Sequence, residues 1–214
     1  MCRRMLVLVM ALALSTATAA QAQNTKHFSL GAGVSFQKYS DSRLKAKELD
    51  IVPMYRLSRG GGENGWDWDL KGSTSFSAVD IPSDVAGDAV RLGKLRTIPL
   101  LLGIERQYRH GPMKIGAYVT GGPSINNFKV DDGARQAYTA AGSSLEGVHA
   151  KTSIAFKPGV SASYRVSSLL ALQGSVSYTV NRAKVTTEVD GVSTSETWKL
   201  DRSSARLGMV LGIF

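Results

Sequence analysis

The chain has 214 residues, 43% hydrophobic and 20% charged, with 26 Lys and Arg against 17 Asp and Glu. Those figures suit one domain of moderate size or a single barrel, and exclude a disordered chain. A single cysteine, Cys2, excludes a disulfide scaffold, so ladders and packing must hold the fold.

Arg3 and Arg4 form a basic start, residues 5–14 an apolar core, and Ala20-Gln21-Ala22 a small-x-small cleavage site. Residues 1–22 therefore read as a signal peptide, and residues 23–214 as the mature domain. The apolar core is too short for a membrane-spanning helix. Without Arg3 and Arg4 the balance is 24 basic to 17 acidic residues, a net +7. That excess suits anionic headgroups or phosphates as well as plain solubility, and export disfavours nucleic acid as a partner.

The first strand pattern sets Phe28, Leu30, Ala32, Val34 and Phe36 against Ser29, Gly31, Gly33, Ser35 and Gln37. A second sets Leu49, Ile51, Pro53, Tyr55 and Leu57 against Glu48, Asp50 and Arg56, although Pro53 fits only an edge or a bulge. After a glycine-rich turn at residues 59–64, Trp66, Trp68, Leu70 and Phe76 oppose Asp67, Asp69, Lys71, Ser73 and Ser75. Residues 78–94 show no sustained period and read as a long loop.

Ile98, Leu100, Leu102 and Ile104 mark the fourth strand, which ends at a short turn over residues 109–112. The fifth carries Ile115, Ala117, Val119, Gly121, Pro123 and Ile125. Residues 130–148 read as a second long polar stretch with a short helix near residues 134–141. The sixth strand alternates Thr152, Ile154, Phe156, Pro158, Val160, Ala162, Tyr164 and Val166 with Lys151, Ser153, Lys157, Ser161, Ser163 and Arg165. In the seventh, Leu170, Leu172, Val176, Tyr178 and Val180 oppose Gln173, Ser175, Ser177, Thr179 and Asn181. Asp190-Gly191 is a type I′ hairpin signal. The last strand runs over residues 198–214, where Leu207, Met209, Leu211 and Ile213 alternate with Gly208, Val210 and Gly212. An apolar strand at a chain end invites aggregation unless it pairs into a closed barrel, and the first strand is its natural partner.

Eight strands with alternately short and long connections predict an all-β fold, an eight-stranded antiparallel up-and-down transmembrane β-barrel. Period 2 alone also fits a lipocalin-like soluble barrel with its apolar face inside. Side-chain type separates the two. The polar rows of the first, sixth and seventh strands are largely Gly and Ser, which suit a crowded barrel interior, and Tyr55, Trp66, Trp68, Tyr164 and Trp198 match interfacial girdles.

Residues 95–214 resemble the OmpW-type family of small outer-membrane barrels. The resemblance rests on Ile98-Pro99-Leu100, Tyr118-Val119 with Gly122 and Phe128, Gly159-Val160 with Tyr164, and Leu200-Asp201 before the terminal Phe214. It implies an eight-stranded barrel and a narrow passage for small hydrophobic molecules. The expected protein is a non-enzymatic outer-membrane barrel of a Gram-negative bacterium, structural or with a narrow passage. Two departures stand out. If Phe214 continues a lipid-facing row, that row contains Arg206, Gly208 and Gly212; either Phe214 is out of phase or a bulge near residues 201–204 shifts parity after Trp198 and Leu200.

The second departure is a charged interior: Asp50, Arg56, Asp67, Asp69, Lys71, Glu105, Lys151, Lys157 and Arg165 fall on the inward parity. These line a selective passage or plug it by mutual pairing. The plug fits better, since so narrow a barrel fills with side chains, buried charges persist when paired, and the two signs are similar in number.

No catalytic, cofactor or metal residues are expected. The alternatives are a lipid-modifying barrel hydrolase, using His149 with Ser143, Ser144 and Glu146, and an adhesion module acting through its outer loops. Asp131-Asp132-Gly133 resembles a calcium-loop fragment whose remaining ligand positions are missing, and reads as a turn. Lys45, Lys47, Arg91, Lys94, Lys129, Arg135, Lys151 and Lys184 fall at the outer ends, facing either lipopolysaccharide phosphates or water. The expected partners are outer-membrane lipids, lipopolysaccharide and, through the C-terminal strand ending in Phe214, the barrel-assembly machinery. A monomer is expected.

Overall fold

The computed structural model describes residues 26–41, 44–46, 50–51, 54–59, 64–85 and 88–212, with side chains for 29–41, 44, 64–83 and 90–211. The expected signal peptide, Pro53 and Phe214 lie outside the described residues. In chain order the strands are β1 Lys26–Tyr39, β2 Lys45–Ala46, β3 Asp50–Ile51, β4 Met54–Arg59, β5 Asn64–Thr74, β6 Ser77–Val85 and β7 Asp88–His110. Then come β8 Met113–Val130, helix α1 Asp132–Ala140, β9 Leu145–Ala150, β10 Ser153–Arg165, β11 Leu170–Val189, β12 Val192–Lys199 and β13 Arg202–Gly212.

Eight of these strands pair antiparallel in a circuit: β1 with β4, β4 with β5, then β7, β8, β10, β11 and β13, which returns to β1. The first and last strands meet over a continuous register from Ser29↔Gly212 to Tyr39↔Arg202, so neither end strand offers an open edge. Pairing in sequence order makes the sheet an up-and-down barrel. Apolar rows such as Leu100, Leu102 and Ile104, or Val160 and Tyr164, are exposed on its outside, and the Ser, Gly and charged rows turn inward. That polarity is the reverse of a lipocalin-like barrel.

β7 and β11 span 23 and 20 residues, about twice the 9–11 a tilted strand needs to cross a bilayer. Their excess rises beyond the barrel at the end opposite the short turns, and there the inward row changes from polar to apolar. Val79, Leu92, Leu95, Leu145, Val185 and Leu200 bury one another in an outer cap against which Phe128, Tyr138 and Trp198 pack. β9 and β12 flank the upper part of β11. Asp190 and Gly191, with φ of 51° and 75°, make the expected type I′ turn at the β11–β12 tip.

Three expectations need correction. Residues 78–85 and 88–94 belong to the paired strands β6 and β7. Their register shifts beside Ile81 and Pro82, leaving Leu92 opposite no residue, and this bulge hides the period of the sequence. Residues 130–148 contain α1 as expected, but also most of β9, whose six residues are too few to show a period. No bulge breaks the last strand: Arg182↔Lys199 and Thr179↔Arg202 share one register across the gap at Leu200 and Asp201. Trp198 and Leu200 therefore continue the inward row of Arg202, Ser204 and Arg206, and Trp198 meets Phe128 edge-on at 5.7 Å in the cap instead of joining a girdle.

Candidate functional site in the barrel interior

The inward rows meet around Glu105. Register sets it between Asp69 on β5 and Tyr118 on β8, and alternation points all three inward. Glu105 and Asp69 are each 1% exposed and Lys71 5%. The Lys71 ammonium lies 3.5 Å from Glu105 Oε1 and 3.4 Å from the centroid of the Tyr118 ring, and the Ser161 hydroxyl donates to the same carboxylate oxygen. Tyr118 occupies the space that the cross-strand Gly159 leaves open, since a Cβ on Gly159 would come 2.5 Å from the ring. One carboxylate, one ammonium, one hydroxyl and one aromatic ring thus link four neighbouring strands inside the barrel, β5, β7, β8 and β10. In so low a dielectric this interlock persists because its charges are matched.

Toward the outer end the chemistry becomes neutral. Asn126 Nδ2 donates to the Lys151 carbonyl at 2.8 Å and to Ser153 Oγ at 2.9 Å; Ser153 Oγ donates to Asn181 Oδ1 at 2.6 Å, and Asn181 Nδ2 to Ser124 Oγ at 3.2 Å. Beside this belt, Arg202 Nη1 donates to the Tyr39 hydroxyl at 2.8 Å and to Ser77 Oγ at 2.7 Å. The apolar cap closes the outer mouth above. At the other end Arg109 is buried and stands opposite Lys114 in register.

The structure brings Asp69, Lys71 and Glu105 together, and leaves Asp67, Lys157 and Arg165 half-buried on the same inward face. Register sets Asp50 opposite Ser35 and Arg56 opposite Ser29, while their side chains fall outside the described residues. Lys151 is corrected: it precedes β10, bonds through its backbone N–H to the Lys184 carbonyl, and is exposed. Sequence reading missed Arg109, Arg202 and Arg206. The side of Arg206 stays open in the sequence, because Phe214 and the apolar row of the last strand imply opposite parities; the Gly and Ser around it are the signal that points inward. Among the described residues the buried interior holds four cations, Lys71, Arg109, Arg202 and Arg206, against the carboxylates Asp69 and Glu105, so the expected parity of signs gives way to a cationic excess.

At the outer rim Arg91, Lys129, Arg135, Lys151 and Lys184 are exposed and Lys94 half-buried, while the side chains of Lys45 and Lys47 lie outside the described residues. Arg91 Nε donates to Asp131 Oδ2 at 2.7 Å. Asp131 is the N-cap of α1, its Oδ1 accepting from the Gly133 N–H at 3.1 Å, and this cap explains the Asp-Asp-Gly run. The Arg91 hydrogen bond, helped by Gly133, holds the Asp131 carboxyl below the usual carboxylate range. His149 is exposed on β9; Glu146 accepts from the Gly191 N–H at 3.1 Å, and the Ser144 N–H donates to Asp190 at 2.6 Å. No hydrogen bond joins His149 to Ser143, Ser144 or Glu146 among the described residues.

The sequence profile of the outer membrane protein beta-barrel domain matches residues 6–188. The chain belongs to that family. In three dimensions this outer-membrane barrel is similar to the outer membrane protein OprG of Pseudomonas aeruginosa, with a TM-score of 0.60 and 10% identity, covering 89% of this chain and 97% of that one. It is also similar to a major outer membrane protein of Thermus thermophilus, with a TM-score of 0.55, 13% identity, and coverage of 89% and 100%. At these identities the likeness is one of fold. No curated protein matches the chain. The barrel is located in the outer membrane, and its apolar outer surface is the part that faces lipid.

Proposed function

We propose that this outer-membrane barrel is a structural, non-enzymatic protein whose lumen is plugged, and that it presents its packed outer cap to the cell exterior. The observation that carries the reading is the Lys71–Glu105–Ser161–Tyr118 interlock, buried inside the barrel and followed outward by a hydrogen-bonded belt and an apolar seal. A narrow passage for hydrophobic molecules fits less well, because a solute on the barrel axis would have to displace paired charges and then separate the cap. On this reading the barrel works as a monomer. Its partners are membrane lipids, lipopolysaccharide phosphates at the basic outer rim, and the assembly machinery engaging the last strand.

Planar-bilayer recording tests the plug. The native protein should add no steady current above the bare bilayer, and Glu105→Ala should introduce flickering conductance as the interlock loosens. Large, steady currents from the native protein would replace the plug with an open passage.

A further inference from the structure

Arg106 lies on β7 between Ile104 and Tyr108, in the outward row, and is exposed there. Register sets it between Trp68 on β5 and Ala117 on β8, and both are outward as well. Its guanidinium centre stands 4.8 Å from the Trp66 ring centroid and 5.5 Å from that of Trp68, and Trp66 in turn packs against Tyr108 at 5.3 Å. No carboxylate among the described residues pairs with it.

An arginine on the lipid face is costly at mid-bilayer and tolerated near an interface. Arg106 is four residues from the end of β7 at His110, where the short turn to β8 begins. Short turns of outer-membrane barrels are periplasmic, so the group belongs to the periplasmic girdle. The indoles supply a cation–π platform that holds the guanidinium plane, and its N–H fork stays available for an oxyanion. Among the described residues its neighbours on this face are apolar or aromatic, and headgroup phosphate is the anion the membrane offers at this depth.

We propose that Arg106, stacked on Trp66 and Trp68, binds the phosphodiester of a phospholipid in the periplasmic leaflet. The arrangement offers what a phosphodiester needs: a bidentate donor at headgroup depth, fixed by aromatic faces, above an apolar row that receives the acyl chains.

The test uses Trp198→Phe protein, which leaves Trp66 and Trp68 as its only indoles, in maltoside micelles that contain no phosphate. Added phosphatidylglycerol should change the indole emission saturably, whereas diacylglycerol of the same chains and inorganic phosphate should not. Arg106→Gln should weaken the response at least tenfold and Arg106→Lys at least threefold, with heat-shifted gel migration as the check that each is folded. If Arg106→Gln does not fold, the Arg106→Lys result decides. An unchanged titration in the folded variant overturns the proposal. So does an equal response to diacylglycerol, which would mean apolar contact alone, or to inorganic phosphate, which would mean a free-oxyanion site.

Discussion

Arg202 and Tyr39 are 163 positions apart in the chain and joined by a 2.8 Å hydrogen bond, directly across the seam where the last strand meets the first. The same guanidinium holds Ser77 at the base of the β6–β7 hairpin, so one side chain fastens the barrel's closure to its outer cap.

Tyr39→Phe keeps the ring in the cap and deletes the hydroxyl, which accepts from Arg202 and donates to Ser77 Oγ at 3.5 Å. The bond to the charged guanidinium dominates the loss, about 1.5–3 kcal/mol, with the long contact to Ser77 adding little. Urea unfolding in lipid vesicles, followed by gel migration, measures it, and an unchanged midpoint would mean that the seam does not depend on this contact.

Glu105→Ala removes the carboxylate 3.5 Å from the Lys71 ammonium, at a cost of about 3–5 kcal/mol for a broken buried pair. Replacing both partners, Lys71→Met with Glu105→Gln, should recover most of that loss. A double variant no more stable than the single one would show that the pair is not the unit of stability.

Val160 and Ser161 are adjacent on β10 and face opposite ways, 56% and 8% exposed. Val160→Arg puts a charge into lipid and should cost about 2–4 kcal/mol if it lies at the midplane. Ser161→Ala removes the donor to Glu105 and should cost about 1–3 kcal/mol, whereas a hydroxyl facing open lumen would be nearly silent. Refolding yields in vesicles rank the two; full folding of the native chain in buffer without lipid or detergent would contradict the face assignment itself.

At the outer rim Asp131 caps α1 and accepts from Arg91. Because these contacts lower its carboxyl pKa in the folded state, their contribution is complete above the unfolded-state value and is lost as pH falls through the lower, folded value. Protection of the α1 amides relative to their intrinsic exchange should therefore fall below about pH 4, the ordinary carboxylate range. In Asp131→Asn the acid dependence should disappear, and a persisting pH step in that variant would assign the titration elsewhere.

Protease added to whole cells should cut in the exposed turn at residues 141–144, and spare residues 78–83, which the ladder holds. Cleavage there only after the outer membrane is permeabilised would reverse the orientation.

Much of the barrel was legible without coordinates, because a strand's side chains alternate with period 2 whatever surrounds it. Leu100, Leu102 and Ile104 outward, and Ser161, Ser163 and Arg165 inward, follow from spacing alone. The class of the interior followed too, since small and charged residues on one parity leave little else for a narrow barrel. Tertiary structure decided what periodicity cannot carry. Leu92 in its bulge and the six residues of β9 break or undersample the period, so the outer cap read as loops. The row of Trp198, Leu200, Arg202 and Arg206 was ambiguous because an apolar residue above the membrane and a lipid-facing one look alike; only pairing to both neighbours set its parity. Asp69, Glu105 and Lys71 were named from their parity, but which ammonium meets which carboxylate depends on register between strands far apart in sequence. That register is settled by the simultaneous pairing of all eight strands, a property no single stretch of the chain contains.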